Sequence, residues 1–167
     1  MSLPPALTAK AGEVLELCRL HGVMLATAES CTGGLVAAAL TAIPGSSSVV
    51  ERGFVTYSNQ AKTEMLGVPE ALIEGHGAVS AQVARAMAEG ALAHSRADIS
   101  LSITGVAGPD GGTAAKPVGT VHIAAAQRGA LTLHRACLFP GDRDAVREQS
   151  AIAAMDLLME RVCSFRR

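Results

Sequence analysis

Residues 27–34 read TAESCTGG, placing a serine, a cysteine and a threonine between an apolar run and two glycines. Gly33 and Gly34 leave backbone N–H groups unobstructed at the start of the helix expected to follow. The dipole there favours negative charge, so the segment can form an anion or oxyanion cradle. Ser30 and Thr32 add hydroxyls on alternate positions, so that one can attack a substrate while the other binds or caps. A structural use stays open, because either hydroxyl can serve as an N-cap and the glycines ease packing of helix on strand. The pattern is neither the G-x-S-x-G elbow nor a P-loop. Cys31 is a second candidate nucleophile, but a thiol needs a base or an electropositive setting to ionise, and no histidine lies near it in sequence. A small buried apolar role suits it better.

A serine nucleophile needs a base. His76 and His122 are candidates, although His122 falls inside an expected strand, where a packed imidazole is the commoner use. Residues 57–62, YSNQAK, offer Lys62 at the point where a strand gives way to a helix. A lysine acts as a base only if burial or nearby positive charge brings its pKa down from about 10.4. Tyr57 could position or relay the proton; the alternative is a solvated lysine and a packed tyrosine. Further on, ITGVAGPDGG carries glycines at 105, 108, 111 and 112 that let backbone approach a ligand, with Thr104 at the strand exit able to bond to it. A turn cornered at Asp110-Gly111 would explain the same residues. There is no G-x-G-x-x-G spacing and no following helix, so a dinucleotide fingerprint is not supported. GDRDAVRE places Asp142 as an N-cap and Arg143 in the first helical turn, against the dipole, as an arginine serving a phosphate would be.

These residues need elements to hold them. Leu7, Ala11, Val14 and Cys18 form a helical stripe over residues 4–20 that Gly22 ends. Residues 23–27 read as a strand, 34–43 as a buried helix closed by Pro44-Gly45, 49–57 as a second strand and 60–66 as a short helix. Pro69 opens another helical piece, and Ser80 caps a longer one on which Val83, Met87 and Ala91 recur. Residues 98–104 alternate as a strand, residues 105–119 form a long loop, and 119–126 with 130–139 read as a hairpin. A last helix begins at Asp142, with Ile152, Met155, Met159 and Val162 on one face. The order of elements predicts an α/β protein: a three-layer α/β/α sandwich with a mixed parallel and antiparallel sheet. Ligands on such sheets bind where strand ends meet helix N-termini, which selects the loops at 28–34, 57–62 and 104–119.

Composition bounds the function. The 167 residues suit a single domain over 1–167, and 49% hydrophobic residues with only 2% aromatics imply a core of small aliphatic side chains. The net charge of -1, with scattered basic residues, argues against a nucleic-acid groove or an anionic membrane and favours a small-molecule partner. Cys18, Cys31, Cys137 and Cys163 form no C-x-x-C pair and no signal-peptide pattern precedes the first helix, so free thiols in the cytoplasm are expected. No histidines fall at i, i+4, so no metal is expected, and no apolar run reaches the ~18 residues of a membrane span. A core so poor in aromatics is compatible with a homodimer.

TAESCTGG, GFVTYSNQAK, HGAVS, ITGVAGPDGG, KPVGTV and GDRDAVR, in this order, resemble the nicotinamide-nucleotide amidase family, also described as the C-terminal domain of the competence/damage-inducible protein CinA. The resemblance runs from about residue 5 to residue 163. It implies an α/β/α fold and hydrolysis of nicotinamide mononucleotide to nicotinate mononucleotide and ammonia, in pyridine-nucleotide recycling, without metal or cofactor. The family's serine nucleophile falls on Ser30, its lysine on Lys62 and its tyrosine on Tyr57. Thr32, Gly33, Gly34, Thr104, Gly105 and Arg143 match expected substrate-binding positions. Longer members carry a further N-terminal domain, which this chain is expected to lack. The alternatives are a mononucleotide-binding module without catalysis, in which Ser30 only caps a helix, and a cysteine amidase using Cys31.

Overall fold

The computed structural model describes residues 2–166. Helix α1 (Pro5–His21) starts with proline in its first turn, where a missing N–H costs nothing, and stops at Gly22, which takes the left-handed conformation (φ 64°). Strand β1 (Leu25–Glu29) is buried along its whole length and lies parallel to both β2 (Val50–Val55) and β3 (Ile99–Gly105). Strands β4 (Thr120–Gln127) and β5 (Leu133–Leu138) continue the sheet antiparallel, giving the order β2-β1-β3-β4-β5. Between β1 and β2 lie α2 (Leu35–Thr41) and a single 3₁₀ turn; α3 (Asn59–Leu66), α4 (Glu70–His76) and α5 (Ala81–Ala93) lead to β3, and α6 (Arg143–Cys163) closes the fold.

One face of the sheet carries α1, α2 and α6 over the largest apolar cluster; α5 covers the other, with α3 and α4 packed against it. This is the expected three-layer α/β/α sandwich with a mixed sheet. The α5 layer sits close because its interface is built from Ala26, Ala84, Ala88, Ala124 and Ala126. At that spacing the hydroxyls of Ser100 and Ser102 donate to the carbonyls of Ala88 and Ala84, both at 2.5 Å, so buried serines stitch strand to helix.

Several boundaries differ from those expected, β2 among them at Val50–Val55 rather than 49–57, and three of the differences have a visible cause. The first strand lies two residues later than residues 23–27, because the Val23 N–H still bonds to the Cys18 carbonyl and completes the helix cap. The shift places Glu29, expected in a loop, at the buried end of β1. Helix α2 is shorter than residues 34–43: Gly34 has φ 98° and stands outside it, and Thr41 is its last residue. The second hairpin strand begins at Leu133 rather than 130, since Ala130 N–H closes the turn onto Gln127 and Leu131 is held by Arg161 through its carbonyl. The expected caps at Ser80 and Asp142 are present, and Ser58 caps α3 by accepting from Ala61 N–H.

Gly90 on α5 allows the C-terminal end of α3 to touch it, for a Cβ there would lie 2.0 Å from the Leu66 carbonyl oxygen. Since α3 carries Lys62, this contact sets the depth of that side chain. Gly90→Ala should destabilise the fold by about 2 kcal/mol or more, from backbone overpacking. Thermal melting should show the loss as a fall of roughly 5 °C; an unchanged midpoint would mean that α3 is held by other contacts.

Candidate active site

The three parallel strands end on the same edge of the sheet, and their exits are tied together: Ser30 N–H donates to the Ile103 carbonyl, and Thr56 N–H to that of Glu29. The loops expected to carry chemistry therefore converge on one cleft of about 290 Å³, lined by Ser30, Cys31, Tyr57, Lys62, Thr104, Gly105 and Arg143 among others.

At its floor Lys62 Nζ lies 3.1 Å from Ser30 Oγ and 3.0 Å from the Thr56 carbonyl oxygen. Lys62 is 1% exposed and Ser30 8% exposed. No carboxylate pairs with the amine among the described residues. Burial without a counter-ion pushes the Lys62 pKa below the ordinary lysine range. Lys62 Nζ donates to the Thr56 carbonyl and to Ser30 Oγ, and once the amine gives up its proton its lone pair is placed to accept that of the Ser30 hydroxyl. That is the arrangement of an activated nucleophile. The thiol of Cys31 lies in the same cleft, yet burial pushes its pKa up to about 11, so at neutral pH it is protonated.

Tyr57 is exposed over the mouth, and its hydroxyl accepts from Arg143 Nη2 at 2.8 Å. Arg143 Nη1 donates to the Gly108 carbonyl at 2.6 Å, so the arginine bridges Tyr57 to the 105–119 loop. This loop is itself ordered, with Val106 N–H bonded to Thr120, Gly119 N–H to Val106 and Lys116 Nζ to the His76 carbonyl. Thr104 lines the cleft while its hydroxyl donates to the Ala78 carbonyl. At Gly105 an added Cβ would lie 2.7 Å from Val121 Cγ2 and 2.9 Å from the Thr120 carbonyl, so strand packing is enough to require glycine there.

The 30–34 turn departs most from expectation. Gly33 N–H donates to the Ser30 carbonyl and Gly34 N–H to the Glu29 carboxylate, so neither points freely at a ligand. Thr32 is fully buried, and its hydroxyl donates to Glu29 Oε2 at 2.6 Å. The cradle at the start of α2 is occupied by an anion of the protein itself. The histidines considered as bases also lie elsewhere: His122 Nδ1 is 2.9 Å from His134 Nε2, and His76 meets Lys116 through its carbonyl.

Sequence reasoning missed three contributors. Glu29 stood in the opening motif, and an acidic residue shortly before a helix start is a usable signal. Arg147 lies one turn after Arg143 and donates to the carbonyls of Cys31 and Thr32. The Thr56 carbonyl left no mark in the sequence, since any residue supplies one. Among the described residues no group of three or more His, Cys, Asp or Glu could hold a metal, and no helix is long and apolar enough to cross a membrane.

Fold and cleft define an α/β/α domain with a buried serine–lysine pair at the carboxyl edge of its parallel strands. The chain belongs to the CinA family, whose C-terminal domain matches residues 7–162. It is 56% identical over 142 residues to a CinA-like protein of Citrifermentans bemidjiense, covering 85% of this chain and 34% of that protein. A CinA-like protein of Akkermansia muciniphila is 50% identical over 157 residues, with 91% and 38% covered. The chain thus spans about a third of the length of the curated relatives it matches. Among solved structures it is similar to the competence/damage inducible protein CihA from Agrobacterium tumefaciens, with TM-score 0.92, 46% identity and 96% and 98% of the two chains covered. A CinA superfamily protein from Escherichia coli gives TM-score 0.88 at 34% identity, covering 96% of this chain and 94% of that one.

Proposed function

We propose that the protein is an amidase that hydrolyses nicotinamide mononucleotide to nicotinate mononucleotide and ammonia, with Ser30 as nucleophile and Lys62 as base. The observation that carries the reading is the 3.1 Å approach of a buried Lys62 amine to Ser30 Oγ in a cleft open to a small molecule. The choice of substrate rests on the family resemblance of the motifs.

In this mechanism Ser30 Oγ passes its proton to Lys62 Nζ and bonds to the carboxamide carbon. Backbone N–H groups of the turn after Ser30 hold the oxyanion. The tetrahedral adduct breaks its C–N bond, and ammonia leaves with the proton that Lys62 returns. Water then attacks the ester carbon, Lys62 again taking a proton, and the carboxylate departs as Ser30 is regenerated. Arg143 spends two N–H groups on Tyr57 and Gly108 and has others to offer the 5'-phosphate. Tyr57, fixed by that arginine, flanks the leaving group. The cationic nicotinamide ring works in the same direction as burial, against a protonated Lys62. Thr104 and Gly105 line the same cleft.

The test is ammonia release from nicotinamide mononucleotide by the chelator-treated protein, with the nucleotide product identified. Turnover is expected, and Cys31→Ser should keep most of it. Loss in Cys31→Ser would point to a cysteine amidase. Binding of the mononucleotide without turnover would instead point to a binding module.

A further inference from the structure

Glu29 has a carboxylate 1% exposed to solvent, yet among the described residues no side-chain cation pairs with it. Its charge is met by four donors. Oε2 accepts from Thr32 Oγ1 at 2.6 Å, Val36 N–H at 3.1 Å and Gly34 N–H at 3.2 Å, and Oε1 accepts from Ala37 N–H at 2.9 Å. Three of these donors belong to the Gly34–Ala37 backbone and the fourth to the turn that follows Ser30. On the outer side of the same turn Arg147 donates to the carbonyls of Cys31 and Thr32, at 3.3 and 3.0 Å. The turn is held between a carboxylate and a guanidinium, one drawing its donors and the other its acceptors.

This division decides which N–H groups remain for a ligand. Ser30 N–H goes to Ile103, Gly33 N–H to Ser30 and Gly34 N–H to Glu29. The Cys31 N–H acts on its own thiol, a weak acceptor, and among the described residues neither it nor the Thr32 N–H enters the turn's backbone bonds. Cys31 follows the nucleophile directly in the chain and lines the cleft, where a donor for a developing oxyanion can act, whereas Thr32 is fully buried.

We infer that Glu29 is a positioning residue for the reaction: it holds the Ser30 turn in the shape that presents the Cys31 N–H to an oxyanion beside Ser30 Oγ. The inference rests on Ser30 being a nucleophile, and does not depend on which amide is the substrate. Glu29 acts through the backbone and leaves the base alone, since burial and Cys31 are what act on the Lys62 amine.

The experiment is the rate at which a fluorophosphonate labels Ser30, followed by intact mass across a range of pH. In this step Ser30 Oγ gives its proton to Lys62 and bonds to phosphorus. The P–F bond breaks, fluoride leaves with the electron pair, and charge gathers on the phosphoryl oxygen in the transition state. Glu29→Gln keeps one acceptor but turns an amine toward Ala37 N–H, and the rate should fall about tenfold or more, as when an oxyanion donor is misplaced. The ascending limb of its pH profile should stay in place, because the base is untouched, and its melting should remain cooperative. Thr32→Val removes the shortest bond to the carboxylate with little change of shape, and should slow labelling by a smaller factor; it carries the test if Glu29→Gln does not fold. A Glu29→Gln protein that labels at the wild-type rate would overturn the proposal, as would a shifted pH limb accounting for the loss. An unlabelled wild type would remove the nucleophile and the positioning role together. Labelling of the wild type without ammonia release would leave the Glu29 assignment standing and send only the amide substrate back for revision.

Discussion

Lys62→Met should abolish hydrolysis and make the protein melt higher. Methionine fills the same buried channel without a charge to desolvate, so the folded state loses its base and gains stability by about 1 to 2 kcal/mol. The midpoint should rise by roughly 2 to 8 °C. The sign follows from linkage. The Lys62 pKa is lower folded than unfolded, so between the two values the unfolded chain binds the extra proton and stability rises with pH. The cost is absent above the ordinary lysine pKa and is carried in full once pH has fallen through the folded value. The gap between variant and wild type should therefore be widest at neutral and lower pH, and close as pH approaches the ordinary lysine range. A calorimetric pH series measures it; a variant that melts lower than wild type at pH 7 would mean that the Thr56 and Ser30 contacts outweigh the buried charge.

Ser30→Ala should reduce kcat/KM for ammonia release by about a thousandfold or more, as when one member of a catalytic unit is removed. The double variant Ser30→Ala/Lys62→Met should be no worse than either single one, because neither residue works without the other. Multiplying losses would argue that the two act in separate steps. In the wild type the rate should climb with pH as Lys62 loses its proton, the limb lying below the ordinary lysine range. A rate flat from pH 5 to 9 would count against a lysine base.

The largest of these effects concern residues that stand out in the sequence, and the reason is local. A serine before two glycines, a lysine at a strand-to-helix junction and an arginine placed against a helix dipole each break a preference that the nearby chain would otherwise follow. The layers were legible too, since three- and four-residue steps on α1, α5 and α6 and the alternation of residues 98–104 are periodicities a short window can read. Gly33 and Gly34 were legible as special, but for the wrong reason: they were expected to offer N–H groups to a ligand. The structure gives Gly33 N–H to Ser30 and Gly34 N–H to Glu29. The hidden fact was the place of Glu29, which turned on a two-residue shift of β1 set by the cap of the preceding helix.

By itself the sequence determined the fold class, the order of its elements and a short set of candidates to attack, accept a proton and bind an anion, because those follow from residue type and near neighbours. Only the tertiary structure decided that Lys62, 32 positions from Ser30, is buried against it with no counter-ion among the described residues. It also decided that Arg147 from the last helix grips the carbonyls of the turn. Desolvation and long-range hydrogen bonding depend on which elements the sheet brings to one edge. No window of sequence holds that information.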